Sequence, residues 1–113
     1  MKRIQLFASC VMLTLGLILP RSLSSADNKK ATDGQAVYKK NCNLCHFPDK
    51  ADKKLGPGLK DLFRNKELPQ SHKPVTEVAV REQVEKGSKA MPGFGKKLSA
   101  EEIDNLMAYL KTL

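Results

Sequence analysis

Cys42-Asn43-Leu44-Cys45-His46 is the stretch on which the reading of this chain turns. Two cysteines three positions apart, with histidine next, form C-x-x-C-H, the attachment pattern of a c-type haem. Thiols at i and i+3 near a helix end reach the two vinyl groups on one porphyrin edge. The following histidine then presents its imidazole to the iron, the usual proximal arrangement. Three other readings compete. A thioredoxin-like dithiol calls for a βαβ setting, which the flanking sequence lacks. A zinc site could recruit Cys42, Cys45 and His72 with His46 as fourth ligand, but adjacent Cys45 and His46 close a tetrahedron badly, and no second ligand pair follows. A disulfide across two intervening residues is strained and reducible, and it leaves His46 unexplained.

Upstream of the motif the chain reads as an export signal. Met1-Lys2-Arg3 is a short basic start, Ile4 to Leu19 is mostly apolar, and Pro20-Arg21 ends the run. Ser24-Ser25-Ala26 supplies small residues for cleavage after Ala26, so the expected division is 1–26 signal peptide and 27–113 mature domain. An uncleaved anchor is the alternative, but the apolar stretch is short against the roughly 20 residues needed to span a bilayer. A lipoprotein signal at Cys10 would place its cysteine before the main apolar run instead of after it. Export brings oxidising surroundings, where haem attachment is made, and leaves Cys42 and Cys45 as the mature cysteines.

The whole chain has 113 residues, 20 basic and 12 acidic, with no Trp, two Tyr and four Phe. Loss of Lys2, Arg3 and Arg21 with the signal reduces the net charge from +8 to +5. With 41% hydrophobic and 28% charged residues of both signs, the chain is not a disordered tail. A domain this small and poor in aromatic bulk is close to the limit at which side chains alone fill a core.

The mature segment reads as helices joined by irregular loops. Asp27 to Ala31 is polar and without periodicity. Thr32 and Gln35 have the capping-box spacing, which predicts a helix from there to about Asn43. Lys50 to Gly58 is a loop ending in Gly56-Pro57-Gly58. Leu59 to Asn65 suits a helical turn that buries Leu59, Leu62 and Phe63. Leu68 to Pro74 is an irregular connection. Val80 and Val84 mark a helix from Val75 to Lys86, with Gly87 as its stop. Ser99 and Glu102 make a second capping box, and Ile103, Leu106, Met107 and Leu110 follow at helical spacing. No segment alternates with period two, so the fold class is all-α.

In this order the motifs resemble the small class I c-type cytochromes, monohaem electron carriers. The resemblance rests on Gly34 and Tyr38 before the haem motif, Gly56-Pro57-Gly58-Leu59 after it, Met91-Pro92 in a later loop, and Leu106 with Tyr109 in the final helix. It covers nearly all of the mature chain. It implies a single domain of about four helices wrapped round one covalently bound haem c, with Cys42 and Cys45 as the thioether positions. It also implies His46 and Met91 as the axial iron ligands, and Pro57 and Leu59 in the haem environment, the Pro57 carbonyl accepting a hydrogen bond from the proximal histidine. Gly34 and Tyr38 are expected to meet Leu106 and Tyr109 where the first and last helices cross. His72 is the rival distal ligand, in a stretch that Pro69 and Pro74 make irregular. Met107 falls on an apolar helical stripe and reads as core.

A His/Met-ligated haem has no open position, and thioether favours the reduced iron, so the implied role is one-electron transfer between larger redox proteins. The expected site is the periplasm, with no nucleic acid partner and no stable membrane insertion after cleavage. No paired carboxylates, nucleophile-base pair or phosphate loop suggests an enzyme. The alternatives are a haem peroxidase or small-ligand binder whose Met91 dissociates, and a fixed haem subunit of a larger redox complex. Lys39, Lys40, Lys50, Lys53, Lys54, Lys60, Lys96 and Lys97 cluster about the motif and the Met91 loop, which suggests an acidic docking face on the partner.

Overall fold

Ser99 accepts a hydrogen bond from the Glu102 amide at 3.1 Å, and the Glu102 carboxylate accepts one from the Ser99 amide at 2.8 Å. This reciprocal cap starts the last helix as the sequence predicts, and Glu101 and Glu102 place negative charge in its first turn. The computed structural model describes residues 25–113. Over that range the chain forms α1 (Ser25–Asn41), a 3-10 turn (Leu62–Arg64), α2 (Glu77–Lys86) and α3 (Ala100–Leu110). The domain is all-α, with three helices and one short turn in place of about four helices. The expected signal segment falls outside the described residues except for Ser25 and Ala26, which lie in α1.

The start of the first helix differs from expectation. Thr32 does not cap it but lies inside it, its hydroxyl donating to the Asn28 carbonyl at 2.9 Å. The polar stretch Asp27 to Ala31 is helical as well, and Lys29 pairs with Asp33 one turn on at 2.6 Å. Thr-x-x-Gln has the same spacing within a helix as at its start, so the local pattern could not locate the boundary. The first helix also stops at Asn41, and residues 42–45 continue as turns. For α2, the Thr76 hydroxyl caps the Ala79 amide at 3.1 Å, and Gly87 ends the helix at φ 70°, a conformation costly for any residue with a Cβ.

The core is organised by the crossing of α1 and α3. Gly34 lies against the backbone of Asn105 and Leu106, where a Cβ would collide with the Asn105 carbonyl. This close approach seats Tyr38 against Tyr109, ring centres 5.3 Å apart at 59°. Tyr38, Leu106 and Met107 are almost wholly buried. Ile103 and Leu110 lie on the same side of α3, and burial of each such side chain contributes about 1.5–3 kcal/mol. The contact between α2 and α3 is slight by comparison. Between α2 and the α1–α3 pair the domain is hollow.

Candidate haem site

The haem motif begins where α1 ends. The Cys42 amide donates to the Tyr38 carbonyl at 2.8 Å, and the amides of Cys45 and His46 both donate to the Cys42 carbonyl at 3.0 Å. These bonds coil the motif into one further turn, and Cys42, Cys45 and His46 all line the hollow. Both cysteines are free, half-buried thiols. Burial pushes the Cys42 thiol up to about 11, with the neighbouring Cys45 adding to the shift.

His46 is held from three sides. Its Nδ1 lies 2.8 Å from the Pro57 carbonyl oxygen. A carbonyl can only accept, so Nδ1 carries the proton and Nε2 keeps its lone pair for a metal. The Tyr38 hydroxyl donates to the His46 carbonyl at 2.9 Å. Gly56 lies against the ring itself: a Cβ there would come within 2.5 Å of His46 Cε1. Gly56 is tied in place by its amide, which donates to the Cys45 carbonyl at 2.7 Å, and Leu59 donates to the Phe47 carbonyl at 2.8 Å. Gly56 and Pro57 thus form the bed of the imidazole. Pro57 and Leu59 line the hollow with it.

Met91 lines the same hollow from the loop after α2. That loop turns at Gly87, where the Ser88 amide donates to the Met91 carbonyl at 2.8 Å, and it returns along α2 through Phe94 N–Val84 O and Gly95 N–Glu85 O bonds. The Gln83 side-chain amide donates to the Met91 sulfur at 3.6 Å. The other candidate distal group lies elsewhere. The His72 side chain is 73% exposed, faces Glu67 at 3.3 Å and does not line the hollow. Met107 is in the helical core. Since His72 is not brought to Cys42 and Cys45, the zinc arrangement is not assembled, and no group of three or more His, Cys, Asp or Glu suited to a metal occurs among the described residues.

The hollow measures about 280 Å³, and its walls are chiefly aliphatic and aromatic, with Tyr38, Leu62, Val80, Val84, Phe94 and Leu106 among them. Two thiols at its edge, an imidazole with a free Nε2, a thioether and apolar walls make the donor set and lining that a covalently held haem requires. Sequence reasoning missed Gln83 and the Tyr38 hydroxyl. Gln83 left a trace, being a polar residue beside the Val80/Val84 stripe of α2, but its partner eight residues on could not be read from spacing.

Residues 29–110 match the family described as cytochrome C oxidase, cbb3-type, subunit III. The chain is also similar to proteins named cytochrome c6. One from Gloeothece citriformis is 32% identical over 90% of this chain and 88% of its own length. One from a Synechococcus strain is 30% identical over 97% and 91%. One from Microcystis aeruginosa is 36% identical over 69% and 90%. No solved structure matches. A family match spanning nearly all of the described residues, with relatives aligned over most of both chains, places this chain among the monohaem c-type cytochromes.

Proposed function

We propose that this chain is an exported one-electron carrier, with one haem c bound through Cys42 and Cys45 and ligated by His46 Nε2 and Met91 Sδ. The observation that carries the reading is the convergence of these four groups on one apolar hollow, with the Nδ1 proton of His46 committed to Pro57. When bound, the haem supplies a one-electron couple whose reduced form the thioether favours. The residues of this chain orient the imidazole, aim the sulfur and exclude water. Such a closed site suits outer-sphere transfer between larger redox proteins, in the periplasm if cleavage follows Ala26. The basic residues around the motif and the Met91 loop favour partners with an acidic docking face.

The test is expression with haem-attachment machinery. The purified protein should carry the mass of one haem that acid-organic solvent does not extract, and Cys42→Ala/Cys45→Ala should release all pigment. The ferric protein should show the weak long-wavelength band of sulfur ligation. Extractable pigment, or a spectrum without that band, would overturn the reading.

A further inference from the structure

Asn43, between Cys42 and Cys45, lies in the turn that trails from α1, and its amide donates to the Tyr38 carbonyl at 3.1 Å. Carbonyls at such a C-terminal end have lost their helical partners and carry partial negative charge. Among the described residues no backbone amide donates to the Asn43 carbonyl. The Lys54 ammonium does so instead, at 2.7 Å, from eleven residues along the chain. A lysine on the last carbonyls of a helix supplies both a hydrogen bond and a favourable charge.

This cap closes a circuit beside the imidazole. The Lys54 amide donates to the Gly56 carbonyl at 2.9 Å, and the Gly56 amide donates to the Cys45 carbonyl at 2.7 Å. Lys54 is therefore joined to the C-x-x-C-H motif twice, through its side chain at Asn43 and through Gly56 at Cys45. Gly56 lies against the His46 ring, and the Pro57 carbonyl accepts its Nδ1 proton. The same ammonium lies 5.1 Å from the centre of the Phe47 ring, the residue after His46. Lys50 supplies the contrast. Its ammonium also lies 5.1 Å from the Phe47 centre, but it makes no hydrogen bond to the motif among the described residues. A lysine with one such partner is ordinary surface. Lys54 is fixed at three points on both sides of His46.

We propose that Lys54 is a positioning residue for the haem site: by capping Asn43 it locks residues 54–57 against the motif and so sets the orientation of the His46 imidazole. The proposal rests on the haem-carrier reading above. No electron or proton passes through Lys54, and it acts on His46 only through Gly56 and Pro57.

The experiment compares haem-loaded wild-type protein with Lys54→Met, Lys54→Arg and Lys50→Met by magnetic resonance of the ferrous form. In Lys54→Met the Gly56 amide proton and the His46 Nδ1 proton should exchange roughly fivefold faster, the factor that one ordinary hydrogen bond carries. The His46 ring signals should shift with them. Lys54→Arg keeps a charged donor and should stay close to wild-type rates. Lys50→Met loses the same charge over Phe47 without touching the motif, and should change neither rate. The amides of Leu106 and Met107, buried in α3, report general loosening and should exchange alike in all four proteins. Unchanged exchange at Gly56 and His46 in Lys54→Met would overturn the proposal. Equal acceleration in Lys54→Arg, in Lys50→Met or in α3 would overturn it too. Failure of Lys54→Met alone to retain haem, with Lys54→Arg loaded, would support it. If the haem-carrier reading itself fails, wild-type protein will lack the mass of a covalent haem before any substitution is made.

Discussion

His46 Nδ1 and the Pro57 carbonyl, eleven residues apart, meet at 2.8 Å, and Gly56 lies close enough to the same ring that no side chain fits between. The imidazole is thus fixed in tautomer by one neighbour and in tilt by the next. Gly56→Ala forces the ring or the loop to shift. Overpacking of this kind costs about 1–3 kcal/mol, so guanidinium unfolding of the holoprotein should give a clearly lower midpoint, with an altered imidazole signature in its magnetic resonance spectrum.

Met91→Ala should abolish the sulfur band, lower the reduction potential and let cyanide or imidazole bind rapidly. His72→Ala should do none of these, since that side chain pairs with Glu67 outside the hollow. Spectra of both variants decide between the two residues.

Gln83→Val removes the donor 3.6 Å from the Met91 sulfur. With the thioether on the iron as proposed, a hydrogen bond to it would draw electron density away and favour the ferrous form. The variant should have a lower potential, by on the order of tens of millivolts for a bond worth about 1 kcal/mol. Redox titration reads this directly, and the sulfur band should persist.

Glu82 answers to pH. Hydrogen bonds from Lys86 and Lys73 hold its carboxyl down to about 2, from an ordinary 4.5. A carboxylate depressed in the folded state stabilises above its unfolded value and loses that contribution as pH falls from about 4.5 toward 2. The carboxylate is partly exposed and both lysines more so, so solvent screens the pairs and the effect is small. Urea midpoints at pH 6 and pH 3 should differ less in Glu82→Gln than in the unmodified protein.

Without haem the chain should be largely unfolded. A hollow of about 280 Å³ separates α2 from the α1–α3 pair, and the direct contact between α2 and α3 is slight. Circular dichroism of the Cys42→Ala/Cys45→Ala protein stripped of pigment should show little helix and no cooperative melt. Native-like helicity there would mean that the α1–α3 crossing suffices alone.

Residues acting over short spans were legible in the sequence. The C-x-x-C-H spacing, the Ser99–Glu102 capping box and the apolar stripe of α3 each lie within a turn or a few turns of chain, and local geometry follows from them. Thr32 marks the limit of such reading, because a hydroxyl three residues from a glutamine has the same spacing inside a helix as at its cap. Tertiary structure alone decided what depends on distant segments meeting. It put Met91 and not His72 on the hollow and brought Gln83 to the sulfur. The reason is physical: those contacts arise only when the α1–α3 crossing at Gly34 and the turns at Gly56 and Gly87 fold the loops back, and no local pattern records where a loop returns.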